Sequence, residues 1–254
     1  MIKSSLHAVN AYRHSFKLIG ELRLWKYYMV PMAISFFTAL AIGFSAWGFS
    51  DDIGAFIAQL WFWDWGAQTI ATLSTILGGL LVILLGLILY KHIVMAFSAP
   101  FMSPVSEKIE MHLYGKKPGH RVTSNGSQLW RGIRINLRNL GWELVITLPL
   151  LILGLIPVVN FVTTPLAFLV QAYYAGFGNM DYTLERHYKY RESVNFVKKN
   201  RGLAIGNGIV FMGCLLIPVI GIIIVLPLSA TAASVVTLER LETCKVLLRN
   251  EASL

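Results

Sequence analysis

Four long apolar runs without an acidic or basic side chain constrain this chain more than any other feature of its sequence. They cover residues 27–50, 65–90, 144–180 and 203–238, which are 24, 26, 37 and 36 residues long. A helix of about 20 apolar residues crosses the hydrocarbon core of a bilayer, which is about 30 Å thick. The runs therefore predict an all-α integral membrane protein, and a charged fraction of only 14% excludes an ordinary soluble domain.

The first two runs predict two long transmembrane helices, over 27–50 and 65–99. The second run continues past Lys91 and His92 to Pro100, where we expect the proline ring to end the helix. Residues 1–26 predict an amphipathic helix lying on the inner leaflet. Its apolar side chains recur at three- and four-residue steps, at Ile2, Leu6, Val9, Tyr12, Phe16 and Ile19.

The third and fourth runs carry an internal repeat, because Leu-Ile-Pro recurs at Pro157 and at Pro218, 61 residues apart. The arm over 144–156 has 13 residues, about 20 Å of helix, which is too short to cross the membrane. The runs 144–180 and 203–238 therefore predict two Pro-centred re-entrant hairpins. Their turns, with Pro157, Asn160, Pro218 and Gly221, would line a permeation path. A second interpretation stays open, in which each run makes two complete tilted spans and the protein has six.

The charges set the expected orientation. Basic side chains outnumber acidic ones by five to one in residues 1–28, seven to three in 107–143 and six to three in 181–202. The segment 51–64 holds three aspartates and no basic residue. The positive-inside rule then predicts that both termini are cytoplasmic and that 51–64 faces outward, in a single membrane domain over 1–254.

Other classes of function have little support. The basic residues lie in short segments between apolar runs, which does not indicate a nucleic-acid groove. The six histidines show no HExxH spacing, and no GxSxG or Walker-type loop is present, so we expect no enzyme, no catalytic residue, no metal site and no cofactor.

The chain also resembles the CysZ-like family of bacterial sulfate permeases over nearly its whole length. The features that carry the resemblance are, in chain order, Phe16-Lys17-Leu18 with Arg23 and Pro31, Ala99-Pro100-Phe101 with Glu107 and Glu110, Ile156-Pro157, Asp181-Tyr182, and Ile217-Pro218 with Pro227. The resemblance implies two long transmembrane helices with two hemi-penetrating hairpins. It also implies sulfate uptake for cysteine synthesis and an oligomeric assembly.

The family's sulfate-binding pattern, Gly-Leu-Arg, corresponds here to Glu21-Leu22-Arg23, and Gly20 supplies the glycine only with a one-residue shift. The resemblance implies that Arg23, with Lys26 and Gly20, binds the anion, since arginine offers bidentate donors and a helix start offers free amides. Glu21 would repel a dianion unless it turns away or pairs with Lys17. In the competing interpretation, Arg23 and Lys26 do not bind the anion and only anchor the chain at the membrane interface.

The expected function is a membrane permease or channel for a sulfate-type oxyanion. We expect its partners to be membrane lipid, a small inorganic anion and further copies of the chain. We expect it in the bacterial cytoplasmic membrane. The alternative is a non-transporting scaffold or assembly protein that has kept the family fold and lost the site.

Overall fold

The computed structural model describes residues 2–59, 67–115, 124–154, 156–217 and 220–251, and the regular secondary structure in these ranges is helical. The helices in chain order are α1 (Ile2–Glu21), α2 (Trp25–Ala58), α3 (Ala67–Tyr114), α4 (Asn125–Leu153), α5 (Pro157–His187), α6 (Tyr190–Lys199), α7 (Arg201–Leu215) and α8 (Ile220–Glu251). Among the described residues, five helices are long and apolar enough to cross a membrane: α2, α3, α4, α5 and α8. The all-α membrane class predicted from the sequence is confirmed.

The prediction that Pro100 ends the second transmembrane helix is wrong, because α3 continues through Pro100 and Pro104 to Tyr114. A proline inside a helix costs about 3 kcal/mol. Burial of an apolar side chain returns about 1.5–3 kcal/mol, and several buried side chains lie on this part of α3. They are Ala99, Met102, Val105 and Ile109. Tertiary packing therefore holds the helix together where the local sequence favours a stop.

The expected 13-residue length of the first hairpin arm is also wrong. α4 begins at Asn125 and has 29 residues, because the polar segment before the apolar run is helical too. The turn itself forms where the repeat predicts it: Gly154 caps α4, and Pro157 occupies the first turn of α5, where its missing N–H is tolerated. In the second hairpin α7 ends at Leu215 and α8 begins at Ile220, while Pro218 lies outside the described residues.

The two hairpins pack together through glycine. A Cβ on Gly176 of α5 would collide with the carbonyl oxygen of Ala204 on α7, and a Cβ on Gly208 of α7 would collide with that of Ala172 on α5. The two contacts are reciprocal, so the backbones of α5 and α7 touch along this stretch. Any larger side chain at either glycine would push the hairpins apart.

α1 packs on α7 and α8 through a face that includes Tyr12 and Ile19 of the predicted apolar stripe. The face toward the protein holds small and apolar residues, namely Ala8, Ala11, Tyr12, Ser15, Leu18 and Ile19. Ile2, Leu6 and Phe16, which belong to the predicted apolar stripe, are exposed. Because these side chains have no protein neighbour to cover them, they form a surface suited to lipid, beside the face that packs on the protein.

Tyr12 fastens α1 to the second hairpin. Its hydroxyl lies 2.8 Å from the carbonyl oxygen of Asn207 and 2.7 Å from Oγ of Ser229. The side-chain amide of Asn207 in turn donates to the backbone carbonyl of Ser229 and accepts from the side-chain amide of Asn179. Burial raises the pKa of Tyr12, so the hydroxyl stays protonated and keeps its role as donor.

We expect Tyr12→Phe to lower the free energy of unfolding by about 1–3 kcal/mol, because it leaves buried polar groups without a hydrogen-bond partner. Thermal unfolding of the purified protein in detergent measures the change. Tyr27→Phe is the matched control, since Tyr27 is only half-buried. Equal midpoints for the two variants would contradict the assigned role of the Tyr12 hydroxyl.

Candidate anion site

The turn between α1 and α2 holds Arg23. α1 ends in a Schellman motif, in which the N–H of Leu24 donates to the carbonyl of Ile19 at 3.1 Å and the N–H of Arg23 to that of Gly20 at 3.2 Å. Arg23 takes the left-handed position of this motif, with φ 49°. Glycine usually occupies that position, because a side chain there costs about 1–2 kcal/mol. The turn therefore presents an exposed arginine where glycine would be more stable.

The surroundings of Arg23 differ in one respect from the expected pattern. Gly20 is exposed in the last turn of α1, so it does not open a helix. The helix start near Arg23 is instead that of α2, which begins at Trp25. The first amides of a helix have no intrahelical acceptor, and they attract anions.

Glu21 turns toward basic side chains. Its carboxylate lies 3.7 Å from Nζ of Lys17 and 3.9 Å from Nε2 of His112. Both pairs are exposed and weak, as ion pairs in water are. Glu21 is therefore paired with Lys17, which reduces its repulsion of an anion near Arg23.

Lys26 packs on an aromatic ring. Its Nζ lies 5.1 Å from the ring centroid of Tyr27, and Nζ of Lys108 lies 5.5 Å from the same ring. Both contacts are within the range of cation–π attraction. Two cations therefore share one ring close to the turn that carries Arg23.

The hairpin turn with Pro157 and Asn160 is far from Arg23. Tyr27 and Asn125 line one cavity, which places the start of α4 beside the start of α2. The turn lies at the other end of α4, whose 29 residues measure roughly 43 Å. Asn160 is exposed and accepts a hydrogen bond from Thr164 at 2.6 Å. The structure thus does not bring these predicted residues together.

Gly221 lies in the first turn of α8 and is buried. A Cβ at this position would collide with the carbonyl oxygen of Cys214 on α7. The glycine therefore lets the two arms of the second hairpin approach closely next to their turn. Its role in this contact is packing.

A buried ionic cluster joins α3 to α4, and the sequence alone did not reveal it. Nζ of Lys91 lies 2.6 Å from Oε1 of Glu143, and Nε2 of His92 lies 3.0 Å from Oε2 of the same carboxylate. Asn136 lies 3.4 Å from Nδ1 of His92. Lys91 and Glu143 are 0% exposed. The available signal was that Lys91 and His92 interrupt an apolar run and that Glu143 directly precedes another.

Arg131 and Arg134 of α4 are engaged with protein groups. Arg131 makes two hydrogen bonds to the carboxylate of Asp181, at 3.0 and 2.8 Å, and further ones to Tyr188 and Ser193. The guanidinium of Arg134 lies 4.1 Å from the ring centroid of Tyr190. Arg131 in particular ties α4 to α5 and α6, so its guanidinium stabilises the contacts among these helices.

A basic cleft of about 620 Å³ lies between α1, the α6–α7 junction and α8. Its charged lining consists of Lys3, His7, Lys198, Lys199, Arg201, Glu239 and Arg240. Glu239 is bonded to His7 at 2.6 Å. The cleft therefore keeps an excess of positive charge, which attracts anions from solution. It lies at the other end of α1 from Arg23, roughly 30 Å along the 20-residue helix.

These features define a multi-pass helical membrane protein with basic surfaces beside its apolar helices. The chain belongs to the family described as Sulfate transporter CysZ/Etoposide-induced protein 2.4, whose model matches residues 11–225. A protein named Sulfate transporter CysZ from Pseudomonas paraeruginosa is 28% identical over 222 residues, which cover 86% of this chain and 89% of that protein. Proteins of the same name from Pseudomonas aeruginosa and Pseudomonas syringae are 27% identical over 225 and 157 residues, or 86% and 61% of this chain and 89% and 62% of theirs.

Proposed function

We propose that this protein conducts a sulfate-type oxyanion across the bacterial cytoplasmic membrane, passively or coupled to an ion. The observation that carries the proposal is the exposed Arg23 in a left-handed turn, at the position that by resemblance corresponds to the arginine of the Gly-Leu-Arg pattern. Backbone outliers of this kind cluster at functional sites, so the strain is a reason to test Arg23 for a function. The names of the relatives support sulfate as the first substrate to test.

We further propose that the two hairpins end inside the membrane. The first turn is surrounded by exposed apolar side chains, with Val158 80% and Phe161 84% exposed. Leu216 and Ile217 at the second turn are exposed as well. Water around such side chains would be unfavourable by about 25 cal/mol per Å² of apolar surface, whereas the bilayer interior solvates them. The exposure favours turns that lie in the hydrocarbon.

Helix lengths support the same proposal once the membrane surface is considered. Arg138, Trp142 and Arg201 line one groove together, and such basic and aromatic side chains prefer the membrane interface. From Trp142 to the end of α4 the helix runs about 18 Å, and α7 from Arg201 to Leu215 runs about 22 Å. Both distances fall short of a hydrocarbon core of about 30 Å.

Flux of radiolabelled sulfate into proteoliposomes tests the transport function. We expect uptake above that of protein-free vesicles, with competition by oxyanions of similar size and charge. If a panel of oxyanions shows no flux, and a stable partner co-purifies with the chain, the protein is the non-transporting scaffold. Glu21 in place of the family's glycine is the observation that favours that second candidate.

Cysteine accessibility tests the hairpin depth. In a background with Cys214 and Cys244 replaced by alanine, we expect Asn160→Cys and Ile217→Cys to resist a membrane-impermeant maleimide from both sides. Ile217 is the probe for the second turn because the neighbouring Gly221 has no room for a side chain. Asp52→Cys is the control for the predicted outer side and Lys199→Cys for the inner side. Labelling of Asn160→Cys from the outside only would support six complete spans.

A further inference from the structure

A groove of about 450 Å³ opens between α4, α5, α7 and the end of α6. Its lining has two parts. The basic end carries Arg138, Lys198 and Arg201, and the apolar length carries Ile146, Leu166, Leu169, Val170 and Ile205, with Trp142, Tyr173 and Tyr174 between them. We propose that this groove binds one anionic phospholipid, with its headgroup at the basic end and an acyl chain along the apolar length.

The basic end fits a phosphate group. Lys198 and Arg201 flank the junction where α6 ends and α7 begins, and Arg138 faces them from α4. Among the residues that line the groove there is no acidic side chain to neutralise them. Arg138 makes one hydrogen bond to Asn139 at 3.0 Å through Nη1, and its guanidinium lies 5.5 Å from the ring centroid of Phe177. Arginine and lysine together are the usual ligands of lipid phosphates between transmembrane helices.

The apolar length fits a chain of methylene groups. Leu166 and Leu169 on α5 and Ile146 on α4 are partly exposed along the groove. Both helices are apolar enough to lie in a membrane, so lipid can reach these side chains. A lipid tail that lies in the groove buries this surface. Trp142, Tyr173 and Tyr174 lie between the charges and the apolar side chains, the depth at which amphipathic rings prefer to lie in a bilayer.

Charge complementarity decides between lipid and the other possible occupants. A second copy of this chain would have to bring a carboxylate to the basic end, and a free inorganic anion would leave the apolar length uncovered. An anionic phospholipid satisfies both ends with one molecule. The inference does not depend on sulfate transport, because its readout is lipid binding.

The test is lipid binding to the purified full-length protein, by native mass spectrometry in detergent with phosphatidylglycerol and phosphatidylcholine of identical acyl chains. We expect phosphatidylglycerol to bind at least tenfold more tightly. The double variant R138Q/K198Q should lose about fivefold per removed charge. R134Q/K199Q is the matched control: it removes the same two kinds of charge from α4 and α6, at positions that do not line the groove.

A third variant, Leu169→Trp, fills the apolar length and leaves the charges intact. We expect it to weaken binding of both lipids. Unfolding midpoints without added lipid should agree between the two double variants, which shows that lost binding is not lost folding. The proposal is overturned if R134Q/K199Q weakens phosphatidylglycerol binding as much as R138Q/K198Q does, or if Leu169→Trp leaves lipid binding unchanged. It is also overturned if free phosphate competes as well as the lipid does. A change of oligomeric state in R138Q/K198Q, with lipid binding unchanged, would overturn it too.

Discussion

Replacing Arg23 by glycine should abolish most sulfate flux while making the α1–α2 turn more stable. Glycine relieves the left-handed strain at this position, worth about 1 kcal/mol, and removes the guanidinium. A hydrogen bond to a charged group contributes about 1.5–3 kcal/mol, so the initial rate at low sulfate should fall roughly 10- to 100-fold. Flux in proteoliposomes and thermal unfolding, measured on the same preparations, check both halves of the prediction.

Three further variants sharpen this test. Arg13→Ala removes the same side chain from an exposed position on α1 and should leave flux unchanged. Arg23→Lys keeps the charge without the planar donor pair and should give an intermediate rate. Glu21→Gln removes the nearby negative charge and should raise the apparent affinity for sulfate. Parental flux in Arg23→Gly would show that Arg23 serves only as an interfacial anchor.

Removing the Glu143 carboxylate should destabilise the protein more than any surface change. Glu143→Gln leaves Lys91 buried without its counter-charge, and an uncompensated buried charge costs about 3–5 kcal/mol. We expect a clearly lower midpoint of thermal unfolding in detergent and a lower yield from membranes. Glu107→Gln, the same chemical change at an exposed position on α3, is the control.

A compensating pair separates a structural role from a functional one. Lys91→Met combined with Glu143→Leu replaces the ion pair by apolar side chains and should recover most of the lost stability. If the double variant is stable and still conducts sulfate, the cluster is a structural link between α3 and α4. If it is stable and inactive, the charges take part in transport. A midpoint for Glu143→Gln equal to that of the parent would show that the pair is not buried as the structure places it.

The helical membrane class was predictable because it follows from the lengths of four uncharged runs. The residues at which the helices end were not predictable in this way. Pro100 and Pro104 are strong local stop signals, but the buried residues that follow them on α3 outweigh the lost hydrogen bonds. The polar start of α4 lacks an apolar run, and its helix is held by contacts such as Arg131 with Asp181, which lie 50 residues apart in the chain. Contacts between residues so far apart in the chain cannot be recognised from a local sequence pattern.

The anion site was predictable only in part, for the same reason. Resemblance pointed to Arg23, yet its left-handed turn and the pairing of Glu21 with His112 depend on how α1, α2 and α3 meet. The lipid groove unites residues of four helices, from Arg138 to Ile205, so no short motif encodes it. The buried cluster had a visible signal in Lys91, but its partner Glu143 could be found only from the packing of α3 on α4.

The glycine contacts between α5 and α7 have a mechanical consequence. Two backbones that touch at Gly176 and Gly208 cannot slide past each other without first separating, so the paired hairpins should behave as one stiff unit. Any conformational change that opens and closes a permeation path would then occur where this unit meets the long helices α2 and α3. A crosslink within the unit should leave turnover intact, and one that ties it to α3 should arrest it.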